Sequence, residues 1–228
     1  QNPNVAQYIA EYKAHLPAAA RITSISAFTQ WQLREYCGLD STVIYYPMKP
    51  VFETGVKHYP FKALACGRVG DRNKRFDVAV EVLRRAGYSE ADLAVVGPER
   101  PHWGTYLGVV DDDVLNGLYH SVDYVMQLSR VEGIGLPSVE SACAGVIPIV
   151  APDLTTYNEL WAGSPMGLYY QTFRSIDQIA STIRYLDGAP ADKAIMKGEM
   201  KRYADLFLRP KFDLVEVARR ILSIAHTL

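Results

Sequence analysis

Four short apolar runs, Phe61 to Cys66, Leu93 to Val96, Tyr124 to Leu128 and Val146 to Val150, constrain the fold of this chain most. The near-continuous apolar character of the first two is the mark of strands buried on both faces, as in a parallel sheet, and the other two read as further strands. A helical pattern follows each of the first three. It runs through Val78, Val82 and Leu83 to Gly87, then through Val114, Leu115, Leu118 and Tyr119, then from Pro137 to Gly145. Strands at this spacing, each followed by a helix, predict an α/β fold with a doubly wound, Rossmann-like parallel sheet. In such a sheet ligands sit at the carboxyl ends of the strands.

The 228 residues suffice for one large domain or two small ones, either with a full core. A formal net charge of −1 and no long basic run argue against a nucleic-acid surface. No apolar run reaches membrane-spanning length and no signal peptide is visible, so a soluble chain is expected. The three cysteines, Cys37, Cys66 and Cys143, lie far apart in apolar patterns, which fits a reduced, cytoplasmic setting and no zinc site. Gln1 in place of a starting Met points to a cleaved product or a piece of something longer.

Before the first buried strand, Val5 to His15 has helical spacing and Pro17 closes it. Arg21 to Ile25 and Ser41 to Tyr46 are strand candidates. Between them Ser26 caps a helix carrying Phe28, Trp31, Leu33 and Tyr36 up to Gly38. Asp111-Asp112-Asp113 has the look of a metal motif, but acids complementing the N-terminus of the next helix account for it better. Towards the end, Gly167 to Tyr170 reads as a short last strand, and helices are expected over Ser175 to Leu186, Lys193 to Phe207 and Leu214 to Ile224.

The stretch Arg130 to Gly145 carries the chemistry. Pro137 suits a first helical turn and Gly145 a stop, while Gly133 and Gly135 let backbone approach a ligand. Free N–H groups at the helix start favour a negatively charged group there. Glu132 and Glu140 flank this nest with seven residues between them; facing a phosphate they would repel it, so they more plausibly accept hydrogen bonds from hydroxyls on either side. Upstream, the basic loop Gly67 to Phe76 offers Arg68 as a planar fork and Lys74 as a point charge, with Arg72 a rival for the lysine's part. His102 and Trp103, on the loop after Gly97, either stack on a base or cover the sheet edge.

Glu132-Gly-Ile-Gly-Leu-Pro-Ser-Val-Glu140 resembles the Glu-x7-Glu motif of retaining GT-B glycosyltransferases, closest to glycosyltransferase family 4, and the resemblance spans about residues 21 to 224. It implies that Glu132 lies by the donor sugar and Glu140 holds the ribose, with Gly133, Ile134, Gly135 and Leu136 beside the donor. Arg68 and Lys74 would hold the leaving diphosphate, and Gly97, Leu107 and Val109 would form a base pocket of backbone on a strand from Tyr106 to Val110. Residues 1–50 would be the end of an acceptor domain and its linker, although Tyr46-Pro47-Met48-Lys49-Pro50 departs from the usual linker. Residues 51–228 would be the nucleotide-sugar-binding domain. The implied reaction is transfer of a hexose from a nucleotide diphosphate sugar to a glycan, lipid or protein hydroxyl, with the anomeric configuration kept and no metal or other cofactor. An acceptor domain cannot fit in the twenty or so residues before Arg21. The chain is therefore expected to bind nucleotide sugar but to transfer poorly unless a separate acceptor-domain chain supplies the other half, through which it would also meet a membrane. The alternatives are a non-catalytic nucleotide-sugar-binding subunit and an epimerase or phosphorylase of similar architecture.

Overall fold

The computed structural model describes residues 3–19, 21–49, 51 and 57–226; Pro50, the predicted linker proline, lies outside them. The chain forms two compact units, Gln1–Met48 with Pro210–Leu228, and Lys49–Arg209.

In the first unit, α1 (Pro3–His15) ends in a 3-10 turn at Pro17, then β1 (Thr23–Ser24) leads into α2 (Ala27–Gln32). Ser26 caps α2, its hydroxyl accepting from the Thr29 N–H at 3.2 Å. The helix relaxes into a wide turn over Leu33–Cys37 and stops at Gly38, whose left-handed φ of 69° suits glycine. β2 (Thr42–Val43) pairs in parallel with β1. Only two residues of each predicted strand are paired. The expected division at residue 50 puts Pro210 to Leu228 in the second unit, yet the structure groups them with the first. Phe212 is fully buried there against the Tyr45 ring at 5.1 Å, and its carbonyl accepts the Met48 N–H at 2.9 Å.

The second unit holds five strands with helices between them. In chain order they are β3 (Ala63–Cys66), α3 (Phe76–Ala86), β4 (Leu93–Val96), β5 (Thr105–Gly108), α4 (Asp112–Ser121), β6 (Tyr124–Gln127), α5 (Leu136–Cys143) and β7 (Ile147–Val150). There follow α6 (Tyr157–Leu160), α7 (Gly167–Thr172), α8 (Ile176–Gly188) and α9 (Pro190–Tyr203); α10 (Arg209–Phe212) and α11 (Leu214–Ala225) come next in sequence and fall, from Pro210 on, in the first unit. All five strands are parallel, in the order β5-β4-β3-β6-β7, so the fold is the doubly wound Rossmann-like sheet expected from the apolar runs. Leu64, Ala94, Val125 and Ile147 are fully buried because both faces of the sheet carry helices. On one face Leu118, Tyr119 and Val122 of the α4 region pack on Leu64 and Val125. On the other, α3 seats Val82 and Leu83 in the core and packs along α8. Each such side chain contributes about 1.5–3 kcal/mol of transfer free energy.

The predicted strand over Gly167 to Tyr170 is instead α7. Burial falls on Met166, Gly167, Tyr170 and Phe173 while Leu168 and Tyr169 are exposed, a spacing of three and four rather than two. Tyr170 is held by its hydroxyl, which donates to the Pro148 carbonyl in β7.

Candidate functional site

Strand order places the site. The chain leaves β3 outward to β4 and β5, then crosses back to β6 on the other side of β3 and goes on to β7. Loops leaving the carboxyl ends of β3 and β6 therefore turn to opposite faces and open a crevice between them. The β3 loop runs from Gly67 to Arg75 and the β6 loop from Leu128 to Gly135. Cys66, Gly67, Arg68, Lys74, Gln127 and Ser129 line a cavity at this point.

Two predicted residues meet in the crevice. Lys74 Nζ donates to Glu132 Oε1 at 2.6 Å, with the side chains 30% and 15% exposed, and Gln127 Nε2 reaches the same oxygen at 3.1 Å. Gln127 is nearly buried at the end of β6 and also donates to Ser129 Oγ at 2.9 Å, so its amide is fixed from two sides. Lys74 passes beside Gly67, whose φ of 130° suits glycine; a Cβ there would lie in ordinary contact, 3.5 Å from Lys74 Cε. Gly97, at the end of β4, is packed harder still: a Cβ would fall 2.1 Å from the Gly67 carbonyl oxygen. Arg68 is exposed on the rim, and Arg72, its neighbour in the loop, is exposed as well.

The two loops are clasped. The Asn73 side-chain amide donates to the Val131 carbonyl at 2.7 Å and accepts the Val131 N–H at 2.9 Å, while the Arg130 N–H reaches the Asn73 carbonyl at 3.2 Å. From the loop after β7, Thr155 Oγ1 donates to the Glu132 carbonyl at 2.9 Å and accepts its N–H at 3.0 Å; Thr156 donates to the Ile134 carbonyl at 3.1 Å. Asp153 of the same loop pairs with Arg75 and, at 3.6 Å, with Arg130. Arg75 sits at φ 50° just ahead of α3, a left-handed conformation that costs a non-glycine residue about 1 kcal/mol or more. Gly135, at φ 85°, turns the β6 loop into α5, and Leu136 and Pro137 begin that helix; Pro137 carries no N–H, and the Ser138 N–H donates to the Gly135 carbonyl at 3.1 Å.

Glu140 lies one turn into α5, half-buried. The Tyr119 hydroxyl donates to Glu140 Oε2 at 2.8 Å and also meets the Cys66 thiol. Burial is the main cause that lifts the Glu140 carboxyl above its usual range, with the Tyr119 hydrogen bond opposing it. The Cys66 thiol is pushed up to about 12, first by burial and then by the Glu140 charge, which keeps it protonated and inert as a nucleophile.

Of the predicted site residues, Glu132, Lys74 and Arg68 share the crevice, and Glu140 borders it through Tyr119 and Cys66. Ile134 is buried beneath the loop and Gly133 lies beside it, half-buried. The backbones of Gly97 and of the stretch from Leu107 to Val109 lie side by side at the ends of β4 and β5. The Gly97 N–H and carbonyl are taken by the Gly108 carbonyl and the Tyr106 hydroxyl, Leu107 packs on the core, and Val109 is 78% exposed. Trp103 is buried with the Arg84 guanidinium over its ring, while His102 stands edge-on to Phe76. Asp111 accepts the Val114 N–H at 2.8 Å and so caps α4. Sequence reasoning missed Asn73, Gln127, Arg75 and Asp153. For Gln127 a signal was present, a polar residue closing an otherwise apolar strand; the others are loop residues of ordinary type.

No protein-family model matches the chain. A putative glycosyltransferase of the Sulfolobus islandicus filamentous virus is 27% identical over 119 residues, 52% of this chain and 35% of that protein. Among solved structures, the pneumococcal O-GlcNAc transferase GtfA in complex with UDP and GlcNAc matches 96% of this chain and 47% of its own, at 15% identity and a TM-score of 0.69. Sucrose-phosphate synthase from Thermosynechococcus elongatus matches 97% and 61%, at 16% identity and 0.70. S. aureus TarM, in a complex containing UDP, matches 96% and 45%, at 14% identity and 0.69. The chain thus spans about a third of the viral relative and about half of the first of these structures. Its fold is the Rossmann-like fold of GT-B glycosyltransferases.

Proposed function

We propose that this chain is the donor-binding part of a retaining glycosyltransferase that moves a hexose from a nucleotide diphosphate sugar to an acceptor hydroxyl. The observation that carries the reading is the contact between Lys74 and Glu132 at the switch point, beside Arg68 and the start of α5. Cleavage of the bond between sugar and phosphate leaves negative charge on the diphosphate. Arg68, Lys74 and the amide of Leu136 at the start of α5 offset that charge, usually the largest single contribution a site makes. Glu132 accepts hydrogen bonds from sugar hydroxyls and Glu140 from the ribose. The fixed Gln127 and Thr155 hold Glu132 in place, so little ordering is left to be done on binding. The acceptor is a glycan, lipid or protein bound largely by another domain or chain.

Calorimetry with uridine, guanosine and adenosine diphosphates and their sugar derivatives tests the reading, followed by a transfer assay. Binding of one base series with weak or no transfer by the chain alone is the expected result. Failure of every nucleotide to bind refutes the proposal, and robust turnover by the isolated chain refutes its restriction to one part of the enzyme. In an assembled enzyme Glu132→Ala should abolish turnover, whereas a mere nucleotide-holding subunit would lose little.

A further inference from the structure

Tyr119 is 2% exposed on α4, its ring held in the core cluster by Leu64, Leu118 and Val125, so the ring has no freedom to turn. A buried tyrosine in such surroundings needs a partner for its hydroxyl, and a backbone carbonyl would serve. Here the hydroxyl is spent on a carboxylate at the edge of the switch-point crevice, 2.8 Å from Glu140 Oε2. The Cys66 thiol, which lines the cavity, meets the same hydroxyl from the end of β3. The hydroxyl thereby joins α4 to α5 at the edge of the crevice. The bond engages Oε2 of Glu140 and so restrains the rotation of its carboxylate.

We propose that Tyr119 is a positioning residue that aims Glu140 at the ribose hydroxyls of the donor and makes the site select ribonucleotides over deoxyribonucleotides. The proposal rests on reading Glu140 as the ribose carboxylate. A carboxylate free to rotate would lose the aligned hydrogen bond to a ribose hydroxyl while leaving the diphosphate contacts at Lys74 and Arg68 as they are. Loss of the tyrosine hydroxyl is therefore felt by ribose and not by phosphate.

The test is calorimetric binding of uridine, guanosine and adenosine diphosphates, each against its 2′,3′-dideoxy counterpart, to the full chain and to Tyr119→Phe and Glu140→Gln. Wild type should prefer the ribose form by about 10- to 100-fold, the worth of a hydrogen bond to a charged group. Glu140→Gln should remove most of that ratio. Tyr119→Phe should cut it by about fivefold or more, with affinity for the dideoxy form unchanged. The phenyl ring fills the same core space, and a ligand-free melting temperature checks that the variant folds. If Tyr119→Phe keeps the wild-type ratio, or weakens both forms alike, the positioning role is overturned while nucleotide binding stands. A wild type that binds without distinguishing ribose from dideoxyribose overturns the reading of Glu140 and this inference with it. A wild type that binds no nucleotide overturns the proposed function as well.

Discussion

Replacing Lys74 with Met separates what the lysine does for the fold from what it does for a ligand. Met keeps the apolar stem beside Gly67 and removes the ammonium that donates to Glu132 at 2.6 Å. With side chains 30% and 15% exposed, the pair lies between a surface ion pair, worth roughly 0–1 kcal/mol, and a buried one whose breaking costs about 3–5 kcal/mol. Gln127 continues to donate to Glu132, so the expected loss of stability is about 1–2 kcal/mol, or about 2–8 °C in Tm for a chain of this size. A nucleoside diphosphate loses a charge-assisted hydrogen bond of about 1.5–3 kcal/mol, roughly a 10- to 150-fold rise in Kd. Glu132→Gln breaks the same pair from the other end and should cost similar stability. It also frees Lys74 and removes a negative charge beside the phosphates, so the same diphosphate, without its sugar, should bind as well as before or about 2- to 5-fold tighter. Urea melts and calorimetry at one fixed ionic strength read both effects, since screening alters exposed charge contacts. Two variants that weaken the diphosphate equally, or a Lys74→Met Kd within about twofold of wild type, would refute the reasoning.

Gly97→Ala should destabilise by about 1–3 kcal/mol in a denaturant melt, because the added methyl meets a backbone oxygen at 2.1 Å that no rotamer change can move aside; an unchanged midpoint would argue against that close approach. Asn73→Ala removes two loop contacts at 2.7 and 2.9 Å, and amide exchange at Val131 should speed up by about 10-fold or more while the strand amides of β4 keep their protection. Asp123 is half-buried, which alone would raise its carboxyl, but hydrogen bonds from Lys193 and Lys197 at 2.8 and 3.0 Å outweigh this and hold it below 3.8. Its stabilisation is therefore present above that ordinary value and lost as pH falls through the lower folded value. Asp123→Asn should cost about 2 kcal/mol near neutrality and progressively less on acidification, measured as urea midpoints against pH.

The sheet was legible because its strands are buried on both faces. Ala63 to Ala65 and Leu93 to Val96 have no wet side, as strands of a covered parallel sheet do not. The segment from Gly167 was misread because four residues are too few to show a period; its helix is set by Tyr170 reaching Pro148, a contact across 22 residues of sequence. At the site, Glu132 and Glu140 stood out through spacing and the glycines between them. Tyr119 reads in sequence as one more apolar residue on the face of α4, since nothing in a helical pattern says where a hydroxyl will point. Asn73 was invisible for a related reason. Its partner Val131 is 58 residues away, and an asparagine among basic loop residues looks like turn chemistry.

That asparagine has a further consequence for how such a chain can vary. Loops at the mouth of a sheet ordinarily accept extra residues, since lengthening them costs little entropy. Here the two that frame the crevice are stitched to each other by a side chain that copies the pairing of a β-ladder, giving one donor and one acceptor to a single residue, Val131. Neither can grow by even one residue between its strand and that stitch without pulling the other out of register. New binding preferences would have to arise beyond it, in the segment after β7 or in the exposed residues around Val109, where added length leaves the framing of Lys74 and Glu132 untouched.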